Sequence, residues 1–379
     1  MKKKYVLGML AVCMLALSAC GKTVDTASTD ECSCKNCRCC TCEQEDEEEQ
    51  VVVNAEEVFE NQASEKQELE SQEAVQTEST QIPESTEAAE QEPTTQETVV
   101  EEEKSVAQLS EGEKAARKAL QANLAQAREE IYALPNSLEK TQKINEIDKQ
   151  ILENNAVDFS NMSIQFFGDS ITEGICGRID EGGQFVSYVN YANDYLKFGT
   201  CMNNGKAGRM FSDYGGQELS FSLNMGNMYN NSANVSVIFL GANDYLTNRE
   251  GKRYGDINAT ESTAGYIGSL RYTMKQLKAN YPNQEIFFVT MYDIAKTSHS
   301  TYSDVAGSPQ LGEYMDVLRQ MVAQNGYHLI ELYDTGFMDC TDVATNNAYL
   351  ADGIHPMDSG NKVLGEHIAA ELSLYYGQK

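Results

Sequence analysis

Residues 162–170 read MSIQFFGDS, an almost unbroken apolar run that stops at Gly168-Asp169-Ser170. Residues 235–244 (VSVIFLGAND) repeat that plan, and residues 285–291 (EIFFVTM) and 327–333 (YHLIELY) are two more apolar runs. Runs of this kind between turn formers suit strands buried on both faces of a parallel sheet. The stretches between them have helical spacing: Tyr266, Leu270, Met274 and Leu277 within 263–280, then Met315, Leu318 and Val322 within 312–325. Residues 358–376 form a last helical stretch. Alternating strands and helices predict a layered α/β domain. In such domains ligands bind beyond the carboxyl ends of the strands.

Those ends carry residues suited to acyl transfer, which needs a nucleophile, a base, an orienter for the base, and donors for the developing oxyanion. Ser170 stands where a strand turns into a helix, so its hydroxyl is exposed near a helix N-terminus. Asp352-Gly353-Ile354-His355-Pro356 places a carboxylate and an imidazole three residues apart, ahead of the last helix. His355 suits the base and Asp352 its orienting partner. Gly205, in Asn203-Asn204-Gly205-Lys206-Ala207-Gly208, permits close approach of a backbone N–H. Asn243 offers a side-chain amide that donates without titrating. Asp169 and Asp244 are expected to fix their own turns by local hydrogen bonds.

The blocks GDSITEG at 168–174, N-x-G-x-x-G at 203–208, GAND at 241–244 and DGIHP at 352–356 resemble the four signature blocks of the SGNH hydrolases, or GDSL-type esterases. A lone GDS is a weak signal, but four blocks in the family's order, each near a strand end, are a strong one. The resemblance covers about residues 158–377. It implies Ser170 as nucleophile and His355 with Asp352 as base and orienter. It implies an oxyanion hole of the Ser170 N–H, the Gly205 N–H and the Asn243 side chain. It also implies a three-layer α/β/α flavodoxin-like sandwich with a parallel sheet over residues 157–379, and no cofactor. The G-x-S-x-G elbow of the α/β-hydrolases is absent.

The preceding residues read differently. Residues 1–20 (MKKKYVLGMLAVCMLALSAC) have a basic start, a short apolar stretch and small residues before a cysteine. This is the grammar of a secretory signal, too short to span a bilayer comfortably. Its end resembles the bacterial lipoprotein signal, which implies cleavage before Cys20 and acylation of that cysteine as the sole membrane anchor. Residues 21–108 predict a disordered tether, rich in Glu, Gln, Thr and Ser and without apolar period. A partner-binding acidic tail is the other reading of that composition. Within it, Cys32, Cys34, Cys37, Cys39, Cys40 and Cys42 set six thiols in eleven residues. Disulfides, a soft metal such as Zn²⁺ or Cu(I), and intermolecular pairing all suit that spacing. Residues 109–156 predict a helical segment, with the capping box Ser110-x-x-Glu113 and Leu120, Leu124, Ala127, Ile131 and Leu134 on one face. It serves either as a spacer or in shaping the substrate site.

The net charge of −29 is uneven, at −21 over residues 43–103 and −11 over residues 104–379. That balance argues against a nucleic-acid partner and against electrostatic attachment to anionic lipid. Taken together, the two resemblances imply an extracytoplasmic, membrane-anchored bacterial esterase acting on a small acyl ester, with O-acetylated carbohydrate or cell-wall glycan as the expected substrate. An O-acyltransferase using the same residues is the runner-up. A non-catalytic or metal-sequestering lipoprotein is a third reading.

Overall fold

A computed structural model of the chain describes residues 105–230, 232–247, 254–256, 265–294 and 309–379. The signal and Cys20, the cysteine cluster, and the tether up to residue 104 lie outside the described residues. The described part begins earlier than the tether's expected end, with a 3₁₀ turn at Val106–Gln108 and a buried Leu109.

One five-stranded sheet organises the described residues: β1 (Ser163–Gly168), β2 (Thr200–Gly205), β3 (Val235–Phe239), β4 (Glu285–Val289) and β5 (His328–Ile330). Its order is β2-β1-β3-β4-β5 and every pairing is parallel. This is the doubly wound flavodoxin-like order, whose topological switch point lies between β1 and β3. The helices are α1 (Glu111–Tyr132), α2 (Leu138–Glu153), α3 (Ser170–Glu173), α4 (Tyr188–Leu196), α5 (Phe221–Met228) and α6 (Ala242–Leu246). They continue with α7 (Tyr266–Asn280), α8 (Leu311–Asn325), α9 (Val343–Tyr349) and α10 (Asp358–Gln378). Because parallel crossovers are right-handed, the step from β1 to β2 and the steps from β2 onward to β5 put their helices on opposite faces. Accordingly α4 packs on α10, while α7 packs on α5 and α8.

The core strands are buried on both faces and mostly apolar, with Gln165 and Ser236 as a buried polar pair between β1 and β3. Val235, Val237, Ile238, Phe166, Phe167 and Phe288 are all buried. β2 is the exception. It is an edge strand, only partly buried, reading TCMNNG. Its pairing with β1 brings Gly205 level with Gly168, and Gly168 is level with Phe239 of β3. Three strand ends therefore finish side by side.

The helical segment is joined to the sheet domain through α10, which packs on both α1 and α2. The capping box holds: Ser110 Oγ accepts from Glu113 N at 3.3 Å, and Ser110 N donates to Glu113 Oε2 at 2.7 Å. The buried face of α1 is not the one the leucines suggest. Leu120 is exposed, as is Leu134 just beyond the helix end, whereas Gln121 and Arg128 are buried, flanked by half-buried Leu124 and Ile131. The reason is a polar seam. Arg128 pairs with Asp148 of α2 and Glu371 of α10. His367 Nδ1 donates to Asp148 Oδ2 at 2.7 Å. Asn145 Nδ2 donates to Glu366 Oε2 at 2.6 Å, and Gln121 Nε2 donates to Ser373 Oγ at 2.8 Å. Burial opposes ionisation of Asp148, but the charges of His367 and Arg128 outweigh it and hold the carboxyl below its ordinary range.

Candidate active site

Ser170 is the first residue of α3, whose N-cap is Asp169. Asp169 Oδ1 accepts from Ile171 N at 3.0 Å, which fixes the turn locally as the sequence suggests. The helix stops after one turn at Gly174, in the left-handed conformation at φ 95°. Ser170 is thus held at the switch point, at the carboxyl end of β1.

His355 and Asp352 sit on a loop just before α10. Leu350 bridges Pro356, and Ala351 N donates to the His355 carbonyl at 2.9 Å. Buried Tyr292 donates its hydroxyl to the Ile354 carbonyl. Asp352 Oδ1 accepts from the backbone N of Ile354 at 3.0 Å and of His355 at 2.8 Å. Its other oxygen faces His355 Nδ1 at 2.7 Å, and His355 Nε2 faces Ser170 Oγ at 2.8 Å. With Asp352 ionised, Nδ1 carries the proton and Nε2 is left as an acceptor for the serine hydroxyl.

Burial alone would raise the Asp352 pKa. The hydrogen bonds and charge of His355 prevail and bring it down to about 2. For His355, burial works toward a lower pKa, but the Asp352 hydrogen bond and charge, with a smaller contribution from Asp169, raise it above its ordinary 6.5. The pair therefore has one firmly ionised member and one base held above its ordinary range.

The remaining blocks gather around Ser170. Asn243, in the first turn of α6, donates its Nδ2 protons to the Arg209 carbonyl at 3.0 Å and to Asp169 Oδ2 at 3.3 Å. Gly205 lies at the end of β2 against the backbone of α3. A Cβ there would come within 2.2 Å of Glu173 N, so only glycine permits this approach. Its N–H, expected as an oxyanion donor, here donates to Asn203 Oδ1 at 2.8 Å. Asn203 in turn donates to the Thr172 carbonyl at 2.7 Å, tying β2 to α3.

Three nearby features escape sequence reasoning. Asp244 reaches well beyond its own turn. It accepts from Phe211 N at 2.7 Å and Ser212 N at 3.0 Å, clamping the segment that presents the Arg209 carbonyl to Asn243. Burial pushes the carboxyls of both Asp169 and Asp244 up to about 6, against the hydrogen bonds each accepts. Arg209 is buried and donates to the carbonyls of Asn204 and Gly168, bracing the ends of β2 and β1. Its only sequence signal is a cation directly after the second glycine of N-x-G-x-x-G. Cys176, six residues after Ser170, returns to the site. Its Sγ lies within 4.8 Å of ligand atoms of both Asp352 and His355.

The model of the GDSL-like Lipase/Acylhydrolase family matches residues 166–363, just over half of the chain. Similar solved structures include a protein from Lactobacillus plantarum, at 22% identity and TM-score 0.48, covering 57% of this chain and 97% of that one. An acetylxylan esterase from Geobacillus stearothermophilus matches at 17% identity and TM-score 0.41, covering 57% and 96%. A possible lipase from Chitinophaga pinensis matches at 16% identity and TM-score 0.43, covering 58% and 100%. The search of curated proteins found no match. The family's model runs from the strand that delivers Ser170 to beyond the loop that delivers His355, and the chain belongs to the GDSL-like Lipase/Acylhydrolase family as a serine ester hydrolase.

Proposed function

We propose that the Ser170–His355–Asp352 relay performs the hydrolysis, on a small acyl group, with O-acetyl esters of carbohydrate or cell-wall glycan as the substrate class. The single observation that carries the assignment is the pair of contacts at 2.8 Å and 2.7 Å joining the three side chains in line. Ser170 Oγ attacks the ester carbonyl carbon as His355 Nε2 takes its proton. The carbonyl oxygen becomes an oxyanion beside the first turn of α3 and the Asn243 amide. The longer of the two Asn243 bonds, to Asp169, is the one the oxyanion replaces. The Gly205 N–H joins only if it gives up Asn203. His355 then returns the proton to the leaving alcohol, and water repeats the sequence on the acyl-serine.

A small acyl on a bulky carrier fits the site's exposure. The side chains of His355 and Asp352 are 22% and 47% exposed, so a pendant acyl group reaches the serine at the surface. The leader sequence supports an extracytoplasmic setting, with anchorage through acylated Cys20. Acetate release from an O-acetylated glycan, compared between the chain and its Ser170→Ala form, tests the reading. Equal release by both would refute it, and transfer to added oligosaccharide without release would make the enzyme an acyltransferase.

A further inference from the structure

Cys176, Asp352 and His355 each offer a ligand atom within 4.8 Å of the others, and the loop that carries two of them opens to solvent. Thiolate, imidazole and carboxylate together suit a borderline-soft divalent ion rather than Mg²⁺ or Ca²⁺. Bonds of about 2.0 to 2.3 Å from these donors to Zn²⁺ require the three atoms to close in on the ion, and three protein ligands with one open position is an ordinary zinc arrangement. The geometry points to a Zn²⁺-binding inhibitory site formed by Cys176 Sγ, Asp352 and His355 Nδ1, built on the relay itself.

Nδ1 is the imidazole nitrogen that faces Asp352, at 2.7 Å. An ion held there takes the place of the Nδ1 proton and of the hydrogen bond to Asp352. The imidazole stays neutral by carrying its proton on Nε2, and the thiol proton leaves to solvent. The imidazole then loses its orienter, and Nε2, now protonated, cannot take the Ser170 proton. The sheet domain thus carries a metal-dependent off state that uses one residue, Cys176, with no part in acyl transfer. Cys176 also holds a left-handed backbone at φ 69°, a conformation that glycine adopts more easily.

This inference rests on the relay reading, so its test has two readouts. The full-length chain is used with Cys32, Cys34, Cys37, Cys39, Cys40 and Cys42 changed to serine, so that those thiols do not compete. Hydrolysis of an acetyl ester is followed at free Zn²⁺ concentrations set by a chelator buffer. Binding is followed separately through the thiolate-to-cobalt charge-transfer band of added Co²⁺. Cys176→Gly removes the thiol at a backbone that welcomes glycine, and Cys176→Ser is the near-isosteric second variant. The expected result is reversible zinc inhibition, weakened by on the order of 100-fold in both variants, since even indirect supports of a metal ligand account for about 10- to 100-fold in affinity. Zinc-free turnover stays within about twofold, because Cys176 exchanges neither proton nor acyl group in the relay mechanism. The cobalt band appears in the parent and vanishes in both variants. Equal zinc sensitivity of parent and variants overturns the proposal, as does an active parent with neither inhibition nor band. A parent without turnover that still shows a Cys176-dependent band refutes the relay reading and leaves the metal site standing.

Discussion

His367 Nδ1 stands 2.7 Å from Asp148 Oδ2, fastening the last helix to the N-terminal hairpin from inside the protein. The same helix begins three residues after His355, so the hairpin steadies the element that follows the relay loop. Asp148→Ala would leave the buried Arg128 and His367 without their shared acceptor. Removing one partner of a buried charged network costs about 3 to 5 kcal/mol. Denaturant unfolding of the variant should show that loss, and a change below about 1 kcal/mol, the scale of an exposed pair, would mean that the seam does not join the two parts.

Asp352 sets the working pH of His355. The free-enzyme kcat/KM profile follows the ionisation of its base, which must be neutral to accept the Ser170 proton. The Asp352 hydrogen bond and charge raise the His355 pKa above 6.5, while burial works the other way. Asp352→Ala leaves burial in charge. The acid limb of the profile should therefore move to lower pH, while kcat falls by about 10⁴-fold, as for loss of the orienting carboxylate in a serine triad. An acid limb that stays in place would separate Asp352 from the base.

In the proposed mechanism Asn243 is the side-chain donor to the developing charge. Replacing it with alanine should lower kcat by about 10² to 10³-fold and leave KM nearly unchanged, the signature of a contact made mainly in the transition state. Steady-state kinetics on one soluble ester decide this. A rise in KM alone would make Asn243 a ground-state contact.

Gly205→Ala tests the close approach of β2 to α3. The added methyl would meet Glu173 N at 2.2 Å and the Thr172 carbonyl carbon at 2.5 Å, and backbone atoms cannot step aside. Both the melting temperature and kcat should drop, because the displaced α3 carries Ser170. Overpacking of this kind costs about 1 to 3 kcal/mol. A variant as stable and active as the parent would show that the two elements lie further apart.

The strands that carry the site were legible because their apolar runs stop abruptly at GDS and GAND, and burial on both faces needs that pattern. β2 was not, since an edge strand with Asn203 and Asn204 has no apolar run to read. The triad residues were legible from residue type and position before a helix. The support for them was not: Asp244 reaches back to Phe211 and Ser212, and no local pattern records contacts across 33 and 32 residues. The hairpin misled for a related reason. Periodicity assigns leucines to the core and charges to solvent, yet Arg128 and Asp148 are buried because each has a partner on another helix.

The central claim is that Ser170 is an activated nucleophile, and a serine-reactive fluorophosphonate tests it most directly. Treatment of the full chain followed by intact mass and peptide mapping should give one adduct, on Ser170, lost in Ser170→Ala and strongly slowed in His355→Ala. A folded chain that takes no adduct, or takes it equally fast without His355, would contradict the account.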